Sequence, residues 1–241
     1  MRNEERIVTE VAAALERDTA VNLHEFPLRL EFDDGVLTME GEVEHIMAKK
    51  QALETAATVA GVARIVDRLR LAPAERMQDG EVRDHVCTAL LSENLLATCA
   101  VLAIVKGRPE VVRETGRDEG GSIDVEVNDG VVILNGAVSS LSAKRLAGVL
   151  AWWVPGSRDV VNGIEVAPPE EDNDDEVVDA VRLVLEKNPL VNESQIRATC
   201  RDYTVTLEGI VKSEAQRRMA EADCWYVFRV DRVANLLLVE G

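Results

Sequence analysis

Apolar and polar positions along the chain form the same pattern three times. Residues 36–43 read VLTMEGEV, residues 131–138 read VVILNGAV and residues 204–211 read TVTLEGIV. From Gly41, Gly136 and Gly209 the copies run without a gap to DRLRL at 67–71, NGIEV at 162–166 and NLLLV at 235–239. Internal repetition sets the architecture before any single segment is read. Each copy opens with apolar residues at helical spacing: Ile7, Val8, Val11, Ala14 and Leu15; Val82, Val86, Ala89 and Leu90; Val178, Val181, Val184 and Leu185. Helices of about three turns need tertiary packing to persist.

A strand with period-two alternation follows, at Leu28, Leu30 and Phe32, at Ile123, Val125 and Val127, and at Ile196, Ala198 and Cys200. Asp33-Asp34-Gly35 and Asn128-Asp129-Gly130 come next, a hairpin signal because Gly tolerates positive φ. The third copy has Arg201-Asp202-Tyr203 there, which predicts a turn of different geometry or one under strain. The second strand alternates at Leu37, Met39 and Val43, at Val132, Leu134 and Val138, and at Val205, Leu207 and Val211. Its glycine falls on the inward face, which predicts a helix lying close against the sheet. Second helices over 45–59, 140–153 and 213–227 and closing strands over 64–71, 159–166 and 232–239 complete the copies. The fold class is α+β: three tandem α-β-β-α-β modules, each a three-stranded sheet with two helices on one face. The expected domains are 1–72, 79–167 and 174–241.

Two linkers and one insertion break the pattern. Ala72-Pro73-Ala74-Glu75 begins one linker, and Ala167-Pro168-Pro169 followed by an acidic run to Asp175 forms the other. Pro-Pro and self-repelling charge make the second a stiff spacer. The span from Leu90 to Gly130 is twice the span from Leu15 to Gly35, so the middle copy carries an insertion near 97–121. Its first half is apolar, and its second half is polar and Gly-rich. Extra local packing, a partner surface and mobility are all open for a loop this long.

Composition narrows the function. Aromatics are 3% of the chain, so the cores are built from aliphatic residues. Net charge is −17, and all three repeat segments are acidic. Such a field repels nucleic acid and anionic surfaces. The first residues lack the bases and apolar run of a signal peptide, and no segment reaches eighteen uninterrupted apolar residues, so no transmembrane segment is expected. Cys87, Cys99, Cys200 and Cys224 show no CxxC spacing and are expected as free thiols in a cytoplasmic protein. A periplasmic or envelope-associated location would need another export route. His24, His45 and His85 lack ligand spacing. No nucleophile elbow is present, and Gly116, Gly120 and Gly121 lack the helix of a phosphate loop. The expectation is no enzyme, no cofactor and no metal.

The sequence of helix, Asp-Gly hairpin, apolar-x-Gly-x-Val strand, helix and Asx-bearing strand resembles the BON (bacterial OsmY and nodulation) domain family. Copy one carries Asp34-Gly35, Leu37, Gly41, Val43, Ala56, Gly61-Val62, Val66, Asp67 and Leu69. Copy two keeps Asp129-Gly130, Gly136, Val138, Gly156, Val160, Asn162 and Ile164 and departs at Pro155 and Ser157. Copy three keeps Gly209, Val211, Val230, Val233, Asn235 and Leu237 and departs at Tyr203 and Arg229. The resemblance implies a non-enzymatic module tied to the bacterial envelope, osmotic stress and phospholipid binding.

Two sets of residues are candidates for interaction. Lys49-Lys50, Lys144-Arg145 and Arg217-Arg218 hold one place in the three second helices. They fit a solvated face, a phosphate head group, an acidic partner or another copy. Trp152-Trp153 and Trp225-Tyr226 end the second helices of copies two and three. One member of each pair can enter the core while the other anchors a contact. The expected function is a binding or assembly scaffold in bacterial stress or envelope maintenance, acting on a protein partner or as a homo-oligomer. Phospholipid-surface binding is the alternative, and small-ligand or cation sensing is a second.

Overall fold

The computed structural model of the protein describes residues 3–115 and 120–240. Gly116 and the rest of 116–119 in the insertion lie outside them. The chain divides into two compact units, residues 1–72 and 73–241. The first contains α1 (Asn3–Arg17), β1 (Arg29–Asp33), β2 (Val36–Val43), α2 (Ile46–Ala57) and β3 (Arg64–Leu71). Strands β1 and β2 pair antiparallel, and β2 and β3 pair parallel across α2. Ile7, Val11 and Leu15 of α1 and Leu37, Met39 and Val43 of β2 are buried in the core of this unit, and α1 packs against β1 and α2. The side chain of His45 caps α2, accepting from the Ala48 amide at 3.1 Å.

The second unit holds the other two copies. The middle copy consists of α3 (Asp79–Leu91), β4 (Ala100–Val105), β5 (Arg108–Arg113), β6 (Gly121–Asn128), β7 (Val131–Val138), α4 (Leu141–Trp152), β8 (Asp159–Asn162) and β9 (Glu165–Val166). The last copy has α5 (Asp174–Lys187), β10 (Ile196–Arg201), β11 (Thr204–Val211), α6 (Glu214–Tyr226) and β12 (Arg232–Val239). Its sheet runs β10-β11-β12, as in the first unit. Its first helix buries Val177, Val181, Val184 and Leu185, so Val177 takes the core position expected for Val178.

The middle sheet departs from three strands. The insertion folds into β4 and β5, and the order becomes β5-β4-β6-β7-β8, with β9 also on β7. Apolar Val101 and Ala103 of β4 enter the core beside β6, its parallel neighbour. Arg113 ties the new hairpin down. Its guanidinium donates to the carbonyls of Cys99 at 2.9 Å, Leu91 at 3.4 Å and Leu96. Pro109 is tolerated in β5 because that strand is at the sheet edge.

The three hairpin turns share one geometry. Asp34 and Gly35, Asp129 and Gly130, and Asp202 and Tyr203 all have positive φ, the signature of a type I′ turn. Tyr203 therefore carries strain instead of changing the turn. A carboxylate from the first helix holds two of these turns. Asp79 accepts from the amides of Asp129 at 3.0 Å and Gly130 at 2.9 Å, and Asp174 accepts from Asp202 at 2.8 Å and Tyr203 at 2.9 Å.

The mid-strand glycines serve the neighbouring strand, which corrects the expectation of a close helix. A Cβ on Gly209 would overlap the Gln195 carbonyl oxygen, one on Gly136 the Ser122 carbonyl, and one on Gly41 would lie 2.9 Å from Leu28. All three also have positive φ. Close helix approach comes from the helices themselves: Ala48, Ala52 and Ala56 of α2 and Ala143, Ala147 and Ala151 of α4 face the sheets. Gly209→Ala should therefore cost about 3 kcal/mol from backbone strain and overlap. Gly107→Ala, where nothing lies within 4 Å of the added carbon, should cost about 1 kcal/mol. Urea unfolding of the two variants checks the difference.

Candidate interaction site

The basic pairs have a structural basis in the closing strand. In the first unit Lys49 is 5% exposed, and its Nζ lies 3.0 Å from Asp67 Oδ2 and donates to the Leu69 carbonyl at 2.9 Å. Asn162 and Asn235 occupy the place of Asp67. Asn162 Nδ2 donates to the Lys144 carbonyl at 2.8 Å, and Asn235 Nδ2 to the Arg217 carbonyl at 3.0 Å. Arg217 returns a bond to the Asn235 carbonyl at 3.2 Å. Each Asx oxygen also accepts the amide two residues on, at Leu69, Ile164 and Leu237. The Asx residue thus clamps the second helix to the closing strand. A solvated helix face does not describe Lys49 or Arg145. Lys50 is half-buried and Arg218 exposed.

In the second unit these residues join the two copies. Arg145 is 1% exposed, and its Nη2 lies 2.5 Å from Asp172 Oδ1 in the acidic linker. Its Nε donates to the Phe228 carbonyl at 3.3 Å. Lys144 lies 5.6 Å from the centre of the Phe228 ring. The linker is accordingly docked, which corrects the expectation of a spacer: Glu170 also accepts the Leu141 amide at 2.7 Å, at the start of α4. Leu146 and Val149 of α4 enter the core of the last copy. Lys187 of α5 reaches back to buried Glu93 at 3.1 Å.

The two departures from the repeat in the last copy are one contact. Tyr203 and Arg229 both have positive φ. The Arg229 guanidinium lies 4.2 Å from the Tyr203 ring centre, and its Nε lies 3.8 Å from Asp172. Cation–π attraction offsets part of the strain of both residues.

The two aromatic pairs are placed differently. Trp225 is 2% exposed in the core of the last copy. Tyr226 is half-buried and packs against Trp152, with ring centres 5.9 Å apart and the planes tilted by 31°. Trp153, also half-buried, lies beside Asp223. That carboxyl is 4% exposed and accepts from Asn188 Nδ2 at 2.7 Å. Burial pushes it up from 3.8 to about 6, while the Asn188 bond and the neighbouring Trp153 indole pull the other way. No sequence signal marked Asp223, whose charge lies at a packing position of α6.

Two of the thiols are held well above neutrality. Burial pushes Cys87 up to about 11 and Cys200 up to about 12, the latter helped by its bond to Asp174. Thiols held this high are poor nucleophiles at neutral pH. Among the described residues no group of His, Cys, Asp and Glu is placed to hold a metal ion, and no helix is long and apolar enough to cross a membrane.

The Asp223 shift has a signed consequence. Well below pH 3.8 the carboxyl is protonated in both folded and unfolded chains. Between 3.8 and about 6 the folded chain holds a proton that the unfolded chain releases, so this group's contribution to stability falls as pH rises. The loss amounts to about 3 kcal/mol and is complete above pH 6. Asp223→Asn removes it. The variant should gain stability relative to the parent between pH 4.5 and 7, measured by urea unfolding at each pH.

The BON domain model matches residues 3–73, 110–168 and 173–241. No sequence among curated proteins matches the chain significantly. Two solved structures align over 98% of it: the C-terminal domain of CdsD, "the structural protein of the Type III secretion system of Chlamydia trachomatis", and a second CdsD structure. They are 12% identical, covered over 98% and 92% of their length, with TM-scores of 0.26 and 0.25. Superpositions this loose carry no weight for fold or function. Matched over most of its length, and built as a thrice-repeated α/β module, the chain belongs to the BON domain family.

Proposed function

We propose that the protein is a non-catalytic scaffold that acts by self-association through the free edge of its last sheet. The observation that carries this reading is an apolar stripe on the helix-free face. Leu236 is 58% exposed and Leu238 67% on β12, beside Ile210 at 50% on β11. Leu238 is the register partner of Ile210, so the three form one patch. β12 ends its sheet, and such an edge offers unpaired backbone groups to another strand.

The stripe is self-complementary. Arg232, Ala234, Leu236, Leu238 and Glu240 share the open side by strand alternation. An antiparallel pair of β12 strands centred on Leu236 sets Leu236 opposite Leu236, Ala234 opposite Leu238, and Arg232 opposite Glu240. Two-fold contacts of this kind close on themselves as dimers. The biological setting we infer is the one the family supplies, bacterial stress or envelope maintenance. Phospholipid binding would have to do without Lys49 and Arg145, which are engaged inside the chain, and against a net charge of −17.

Light scattering of the purified chain at high concentration should give a dimer. Leu236→Lys sets two like charges opposite each other and should return a folded monomer. A monomer for the parent chain, or a dimer unaffected by Leu236→Lys, refutes the reading.

A further inference from the structure

The last turns of three helices in the second unit converge on one groove of about 310 Å³. Trp153 follows α4, Asn188 and Pro189 follow α5, and Met219, Asp223 and Tyr226 belong to α6. Each helix C-terminus contributes a partial negative charge. The wall adds the Asp223 carboxylate, whose hydrogen-bond partner Asn188 and neighbour Trp153 are both neutral. Among the described residues no cationic side chain pairs with Asp223. Lys187 at the end of α5 is taken by Glu93 at 3.1 Å, and Arg218 points into solvent one turn before Ala222. The groups facing Asp223 are Tyr226 on its own helix, Asn188 from the end of α5 and Trp153 from the end of α4. Of these only Tyr226 titrates, and it is pushed above 10 by burial and by Asp223 itself.

A carboxylate buried without a counter-charge is costly. Here it borders an open groove with an apolar floor and aromatic walls. We propose that this groove binds an alkylammonium group, with the cation on Asp223 and the Tyr226 and Trp153 rings and the alkyl chain on Met219 and Pro189. Aromatic faces attract organic cations, which shed water more readily than small metal ions. The same chemistry is carried by a free primary amine and by the lysine side chain of a partner protein. The negative field of the whole chain draws either one in. Binding favours the ionised carboxylate, so affinity falls as pH drops below about 6.

Nuclear magnetic resonance of the full chain tests this directly, through the indole N–H resonance of Trp153, which lines the groove beside Asp223. Titration with butylammonium should shift that resonance saturably at pH 7.5, with affinity at least fivefold weaker at pH 5. Sodium chloride at equal ionic strength and butanol at equal concentration should leave it unmoved. Asp223→Asn should weaken binding at least tenfold. The Trp225 indole, buried in the neighbouring core, reports that the variant is folded. Tyr226→Ala offers a second variant and should weaken binding by about threefold. A lysine-containing peptide that binds at least tenfold more tightly than butylammonium identifies a partner's lysine as the source. Equal affinities identify a free amine. An equal response to butanol or to salt, or full binding by Asp223→Asn, overturns the proposal.

Discussion

Arg145 is the constraint on which the second unit depends. A guanidinium that is 1% exposed must find a counter-charge, because removing one partner of a buried ion pair costs several kcal/mol. It finds Asp172, which lies in the linker and not in either module. Meeting that demand pulls the acidic linker onto α4 and brings the Phe228 carbonyl to the same side chain. Asp172 then holds Arg229 at 3.8 Å, and Arg229 stacks on Tyr203. The two strained residues of the last copy therefore rest on a linker carboxylate that a cation of the middle copy holds in place.

This arrangement explains why the repeats differ where they do. The first residue of each basic pair is tied to the Asx clamp, a requirement of every module. The second residue is free to diverge: Lys50 stays half-buried, Arg218 faces solvent and Arg145 becomes the inter-copy anchor. Aromatic residues follow the same logic. Copy one has none at the end of its second helix. Trp152 and Tyr226 of the other two, which hold different places in the repeat, pack across the boundary. Surface chemistry that looks like recognition from the sequence is, in copies two and three, one copy recognising the next. The sheet edge and the groove beside Asp223, on which the two proposals rest, take no part in these contacts.

The modules were readable because their signals are local. Helical spacing, period-two strands and Asp-Gly turns each report on residues a few places apart. The aromatic positions were readable for the same reason, but their contacts were not. Packing of Trp152 against Tyr226 joins residues far apart in sequence, and no periodicity encodes it. The insertion hid two strands because β4 pairs parallel with β6 and β5 is an exposed edge containing Pro109, so neither alternates cleanly. The linker read as a spacer because its charges repel one another, and the cation that neutralises Asp172 lies in α4. The glycines were placed on the correct strands but given the wrong reason. Their neighbour is a strand carbonyl or side chain, and the alanines of the helix do the close packing.

Amide hydrogen exchange on the full chain asks whether Arg145 makes the two copies one body. Val132 and Leu134 sit in the core of β7, and Val205 and Leu207 in that of β11. If the Arg145–Asp172 pair joins the copies, these amides open with the same free energy in the parent chain. In Arg145→Ala, β11 should open before β7. Unequal opening in the parent chain, or equal opening that survives Arg145→Ala, would contradict the account.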